Sequence, residues 1–184
     1  MIIASQKRKE NIAEYLLYMW QIEDIIRAND LDIEKIEKNV IDRYNITEAQ
    51  RREMTEWYES LIEMMRREDV TKAGHLQINR NVLSDMVRLH QALLKDPRFS
   101  DYTAEFYRTL PFIVELRSKA GDAKAGEIET CFNALYGMLM LRLQGKEITP
   151  ETINAIKQIS TFIALLAKNY RLDEEEKLFK DDDK

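Results

Sequence analysis

The sequence has few of the residues that form turns, end helices or make disulfides. It has five glycines, three prolines and one cysteine in 184 residues. So few glycines and prolines argue against a sheet protein with many tight turns, and a single cysteine excludes an intrachain disulfide. The residues that are abundant, Leu, Glu, Lys, Arg, Met and Ala, are those that favour helices. We therefore predict an all-α protein.

Long apolar runs are also missing. No window approaches the ~18 consecutive apolar residues of a membrane span, and the first 20 residues lack the uninterrupted apolar segment and cleavage site of a secretory signal. We therefore predict a cytoplasmic protein with no membrane partner. The lone Cys131 fits a reducing compartment, and we interpret it as a small buried hydrophobe.

Acidic and basic residues are unevenly distributed. The net charge is −5, of which residues 173–184 carry −4, so residues 1–172 are nearly neutral. A nucleic-acid interface needs a basic face that displaces counterions from phosphates, and this chain has only short basic clusters with acids nearby. We predict no nucleic-acid partner. Without a Pro, Gly or Ser-rich linker, residues 1–172 are predicted to form a single helical domain, followed by an acidic, weakly ordered tail over residues 173–184.

The segment 126–143 is apolar almost all round a helix. One face carries six apolar side chains at helical spacing: Ile128, Cys131, Phe132, Leu135, Leu139 and Leu143. A helix of this kind must be wrapped by other helices. A glycine inside it, Gly137, suggests that another helix crosses closely. We predict a single-domain bundle of six to seven helices around a central apolar helix at about residues 123–144.

Local signals place several helix ends. Asp32 is a predicted N-cap, Thr47 and Gln50 match a capping box, and Thr149 followed by Pro150 is a strong helix start. The first helix is predicted to run from about Ser5 to Ala28. A proline at position 111 lies inside the fifth predicted helix, where the missing N–H should kink or split it.

Two long segments carry a resemblance to a known family. They are residues 6–28, QKRKENIAEYLLYMWQIEDIIRA, and residues 126–156, GEIETCFNALYGMLMLRLQGKEITPETINAI. They resemble a family of uncharacterised proteins of similar length from Bacteroides-type gut bacteria, filed as a domain of unknown function. The resemblance implies an all-helical fold. It implies no activity, substrate or cofactor, so no site residue is inferred from it.

The chemistry-bearing residues do not form a recognisable metal site. Helical di-iron proteins use Glu-x-x-His pairs, and neither His75 nor His90 has a glutamate three residues before it. One cysteine and two histidines make no zinc ligand set. A helical nucleotide pyrophosphatase would need paired acidic turns on two helices. The third predicted helix supplies one such series, which consists of Glu53, Glu56, Glu59 and Glu63. The next helix lacks a matching series. A solvated face explains these glutamates better, and we predict no cofactor.

Two hypotheses of function remain open. The sequence favours a non-enzymatic helical protein that acts through protein contacts, chiefly with a second copy of itself. The reason is that the chain has more aromatic side chains than the predicted core faces of its helices can accommodate. The aromatics in excess are Tyr18, Trp20, Tyr107 and Tyr170. The alternative is a small-molecule binder or a metal-dependent nucleotide pyrophosphatase-like enzyme with an interhelical cleft. The polar residues nearest the predicted core are the candidate pocket lining: Tyr15, His90, Asn133 and Tyr136.

Overall fold

The computed structural model describes residues 2–120 and 125–179, and in this part of the chain it contains eight α-helices, two short 3₁₀ turns and no strand. The helices are α1 (Ile2–Glu10), α2 (Ile12–Ala28), α3 (Ile33–Asn39), α4 (Glu48–Arg67), α5 (Gln77–Lys95), α6 (Ser100–Ala120), α7 (Glu127–Leu143) and α8 (Pro150–Glu174). The 3₁₀ turns cover Ile41–Arg43 and Pro97–Phe99. The all-α prediction is confirmed.

The described part of the chain has one helix more than the upper limit of our prediction, and Asn11 explains the difference. The first predicted helix is divided into α1 and α2, and the Asn11 Oδ1 accepts a hydrogen bond from the Ala13 N–H at 3.0 Å. An asparagine side chain at a helix start satisfies a donor that has no partner within the helix. The break therefore follows from capping chemistry that a reading of apolar periodicity passes over.

The predicted helix starts are confirmed. Thr47 Oγ1 accepts from the Gln50 N–H at 3.3 Å, and Gln50 Oε1 accepts from the Thr47 N–H at 3.0 Å, which completes the capping box. The Asp32 carboxylate caps α3. Thr149 Oγ1 accepts from the Thr152 N–H at 3.3 Å at the start of α8. These signals act within one helical turn, so they do not depend on the rest of the fold.

Pro111 does not split its helix. α6 continues through it from Ser100 to Ala120, and Pro111 is exposed. A proline on the solvent side removes one backbone hydrogen bond, but water can reach the carbonyl that loses its donor. Of the two predicted effects, a kink or a split, the split is therefore wrong, and the kink stays a prediction.

The contacts divide the chain into two compact units. The N-terminal unit comprises Met1–Lys9 with Glu14–Val82, and the C-terminal unit comprises Glu10–Ala13 with Leu83–Lys184. Each has its own apolar interior. Fully buried side chains of the N-terminal unit include Leu16, Ile26, Ile36, Ile41 and Met65. Those of the C-terminal unit include Met86, Leu93, Phe132, Phe162 and Leu166. A single domain over residues 1–172 stays a prediction.

The apolar helix α7 is buried mainly over its first half, and Met138 is the one buried side chain of its second half. Ile128 and Phe132 are buried, Leu135 and Leu139 are half-buried, and Leu143 is 63% exposed. α7 packs against α6 and α8, and these two neighbours cannot cover a helix that is apolar on every side. The expectation that other helices wrap all of α7 is therefore wrong at Leu143.

The close crossing expected at Gly137 is also wrong. Gly137 is exposed, and a Cβ added to it would meet nothing within 4 Å. The helix itself begins at Glu127, after Gly126. Its predicted range of about 123–144 is thus close to the observed one, although residues 121–124 lie outside the described part of the chain.

The predicted tail is partly built into the C-terminal unit. Asp173 and Glu174 belong to α8, and the ring of Phe179 packs edge-on against Phe99 with centroids 5.6 Å apart. Residues 180–184 lie outside the described residues. The weak order predicted for residues 173–184 stays a prediction.

Candidate functional site

The four side chains predicted to line a pocket lie in different surroundings. Tyr15, in the N-terminal unit, is buried beneath the Arg8 guanidinium, which lies 5.7 Å from the ring centroid. Burial raises the pKa of the Tyr15 hydroxyl. In the C-terminal unit, His90 is buried, Asn133 is exposed and Tyr136 is half-buried. The cavities described below are lined by other residues, and the pocket of these four stays a prediction.

His90 lies in an aromatic shell. Its Nδ1 is 2.7 Å from the Tyr102 hydroxyl, and its ring contacts Phe106 and Phe162 with centroids 4.8 and 5.8 Å away. Burial lowers the pKa of His90, while the carboxylate of Glu127 acts weakly in the opposite direction. Burial also raises the pKa of Tyr102. Both partners therefore stay neutral near pH 7, which fits a structural hydrogen bond.

A buried carboxylate organises the N-terminal unit. Glu23 of α2 is 0% exposed. Its Oε2 accepts from His75 Nδ1 at 2.6 Å, and its Oε1 accepts from the Leu76 N–H at 2.9 Å and from Asn79 Nδ2 at 2.6 Å. A buried carboxylate is tolerated when hydrogen bonds replace those it would make to water, and these three donors do so for Glu23. Because these donors lie at the start of α5, the negative carboxylate also interacts favourably with the positive end of the helix dipole.

His75 joins this network from the surface. Its side chain is one-third exposed, and its ring stacks on Trp20 with centroids 4.1 Å apart and planes 13° from parallel. A carboxylate bonded to Nδ1 orients an imidazole and fixes its tautomer. We did not predict this network from the sequence. Its one local signal is that Glu23 interrupts the apolar stripe of α2 between Met19 and Ile26, a spacing that puts all three on one face.

The glutamates considered for a pyrophosphatase-like site are all exposed on α4. Two of them, Glu59 and Glu63, line a groove of about 580 Å³ with Asp30, Asp32 and Arg66. Within residues 2–120 and 125–179, no cluster of three or more His, Cys, Asp or Glu side chains is arranged to hold a metal ion. The groove thus has four acidic side chains and one arginine in its lining.

The outer side of α6 carries an uncovered stripe at coiled-coil spacing. We call it the α6 stripe, and its members are Ala104, Tyr107, Pro111, Val114 and Ser118, all exposed. Tyr107 and Val114 are 62% and 55% exposed, which is high for large apolar side chains. Successive members lie three and four residues apart in alternation, the spacing of a helix seam that packs against another helix.

Two opposite charges flank this stripe on one side. The side chain of Arg108 is 69% exposed and donates to Glu105 Oε2 at 2.8 Å. The side chain of Glu115 is 58% exposed and accepts from Lys119 Nζ at 2.6 Å. Seven residues separate Arg108 from Glu115, so the two lie along the same edge of the helix. The site is thus an apolar seam with a positive and a negative group beside it.

A groove lies between α6 and the start of α8. Its volume is about 500 Å³, its apolar walls include Phe112, Leu116 and Ile156, and Lys119 and Glu151 lie at its polar side. Hydrogen bonds near the Glu151 carboxylate, first from its own backbone and then from the Thr149 side chain, lower its pKa. The groove could hold a small amphipathic molecule.

The fold and these surfaces define an all-helical protein. No helix in the described ranges is long and apolar enough to cross a membrane. The chain belongs to a family known as a domain of unknown function, DUF4924, whose model matches residues 1–177. No curated protein and no solved structure matches the chain. The family that the sequence resembles is thereby confirmed as one of unknown function, while a Bacteroides origin stays a prediction.

Proposed function

We propose that this protein is non-enzymatic and acts by self-association through the α6 stripe. The observation that carries the proposal is the exposure of Tyr107 and Val114, one heptad apart on a long helix. Covering such side chains removes apolar area from water, which is the main driving force of protein association. A tyrosine at the centre of a contact also supplies a large, rigid apolar surface.

Of the four aromatic residues singled out from the sequence, one supports an interaction surface on α6. Trp20 is buried at 2% exposure, so the N-terminal unit accommodates this aromatic, contrary to expectation. Tyr18 and Tyr170 are half-buried, and burial raises the pKa of Tyr18 to about 12. Among these four residues, Tyr107 alone is exposed. The exposure of Tyr107 therefore supports α6 as the proposed interaction surface.

Light scattering coupled to gel filtration tests this proposal. We expect the wild-type protein to elute with the mass of two chains at micromolar concentration, and Tyr107→Glu and Val114→Glu to shift it to one chain. Tyr44→Glu is the matched control, because Tyr44 is 46% exposed and lies in the N-terminal unit. A wild-type protein that remains a single chain across this range would contradict self-association.

A second candidate function is small-molecule binding in the groove between α6 and α8. The apolar walls of the groove support it, with the charged groups beside them to orient a ligand. Thermal-shift screening with amphipathic metabolites tests it, since a ligand that binds only the folded state raises the melting temperature. Phe112→Ala should abolish any shift produced by a ligand in this groove, whereas a shift that Phe112→Ala leaves intact arises elsewhere.

A further inference from the structure

The α6 stripe shows the same order of smaller and larger side chains when it is followed from either end, although Tyr107 is larger than Val114. Small residues, Ala104 and Ser118, lie at the ends, larger ones, Tyr107 and Val114, lie inside them, and Pro111 is central. A copy turned end for end therefore offers a matching series. In a two-fold symmetric contact the same patch serves on both chains, so each contact across the axis is made twice.

The flanking charges distinguish the two directions in which a second α6 could lie. When two helices pack antiparallel, the same edge of each helix meets, so Arg108 of one copy faces Glu115 of the other, and this happens twice. When they pack parallel, opposite edges meet, and the groups across from these charges are the half-buried Thr103 and Leu110. Charge complementarity across an interface selects direction and register.

Building on the proposed self-association, we propose that the occupant of the α6 stripe is the α6 stripe of a second copy, packed antiparallel about a two-fold axis near Pro111. Arg108 and Glu115 each keep a partner on their own helix and remain more than half exposed. They can therefore contact the second copy without losing an existing bond. The direction of pairing follows from these two charges.

Cross-linking between single cysteines reports the direction of pairing. Ala104 and Ser118 are 14 residues apart, about 21 Å along a helix that rises about 1.5 Å per residue. In the antiparallel arrangement Ala104 of one copy lies near Ser118 of the other, while the two copies of Ala104 are about 21 Å apart. The native Cys131 is fully buried, and burial raises its pKa to about 12, so it does not compete for the reagent.

We would prepare Ala104→Cys and Ser118→Cys in the full-length chain, one of them with an affinity tag, and treat each alone and the equal mixture with a short bismaleimide. The proposal expects cross-linked dimers from the mixture and none from either variant alone. Both substitutions are at exposed positions, and circular dichroism verifies the fold. Cross-linking of each variant with itself would overturn antiparallel pairing in favour of parallel pairing.

The remaining outcomes separate this inference from the proposed function. A dimer by light scattering that gives no cross-link in any sample would mean that another surface mediates self-association. A single chain by light scattering would overturn the proposed function itself. As an independent test, Arg108→Glu should weaken association about tenfold by setting like charges opposite each other. Adding Glu115→Arg should restore it. A double variant as weak as the single one would overturn the charge pairing.

Discussion

The N-terminal and C-terminal units each bury a polar side chain, and they do so by different chemistry. The N-terminal unit buries a carboxylate, Glu23, whose oxygens accept three hydrogen bonds at the start of α5. The C-terminal unit buries an imidazole, His90, which is kept neutral among aromatic rings. The first arrangement depends on satisfying a charge, and the second depends on close packing. The two units should therefore respond to different perturbations.

The largest expected loss of stability follows from removing the Phe162 ring from the interior of the C-terminal unit. Phe162 is 0% exposed and contacts His90, Tyr102 and Phe106. Phe162→Ala should lower the free energy of unfolding by about 3–5 kcal/mol, because transfer energy is lost and a cavity remains. Cys131 is the one cysteine of the chain and lies in the C-terminal unit. The rate at which it is labelled at increasing urea concentration therefore measures the free energy of unfolding of this unit. Phe179→Ala, at a 38% exposed phenylalanine, is the matched control and should cost far less.

A smaller loss is expected when the charge of the N-terminal unit is removed. Glu23→Gln keeps the shape but replaces one acceptor oxygen by an amide group, so one buried donor loses its partner. We expect a loss of about 1–3 kcal/mol. Fluorescence during urea unfolding measures it, because both tryptophans belong to this unit and one stacks on His75. Glu59→Gln on the exposed face of α4 should have no comparable effect. Equal midpoints for both variants would contradict the role of Glu23.

The pH dependence of stability should carry the signature of the C-terminal unit. Burial lowers the pKa of His90 below its ordinary value of 6.5, so the unfolded chain binds a proton more readily than the folded one. The stabilising contribution of neutral His90 is therefore complete above pH 6.5 and is lost as the pH falls through the lowered pKa. Unfolding of His90→Gln at several pH values should show a flatter profile over this range than the wild type. Parallel profiles would show that His90 does not titrate as described.

The smallest expected effect concerns two glycines, one in each unit. Gly137 is exposed within α7 and has open space beside it, so Gly137→Ala should raise stability by roughly 0.5–1 kcal/mol through helix propensity. Gly74 has φ +88°, a conformation that side chains disfavour, so Gly74→Ala should lower stability. Thermal unfolding of the two variants measures these opposite signs. A destabilised Gly137→Ala would restore the idea of a close neighbour at that position.

The candidate interaction surface could be predicted only in part. The sequence suggested surface aromatics and included Tyr107, which is exposed, together with Trp20, which is buried. It gave no indication that Val114 and Pro111 continue the same uncovered face. Apolar spacing identifies which residues share a side of a helix. It does not identify whether another element covers that side.

Local chemistry determined much of this protein from its sequence. The all-α class and the starts of α3, α4 and α8 follow from helix-forming residues, N-caps and a proline, because these act over one or two turns. Only the tertiary structure decided which faces are covered. It buries Glu23 and leaves Tyr107 and Leu143 in water. The physical reason is that burial depends on residues distant in sequence, and equally apolar faces become interior or surface according to which helices pack against them.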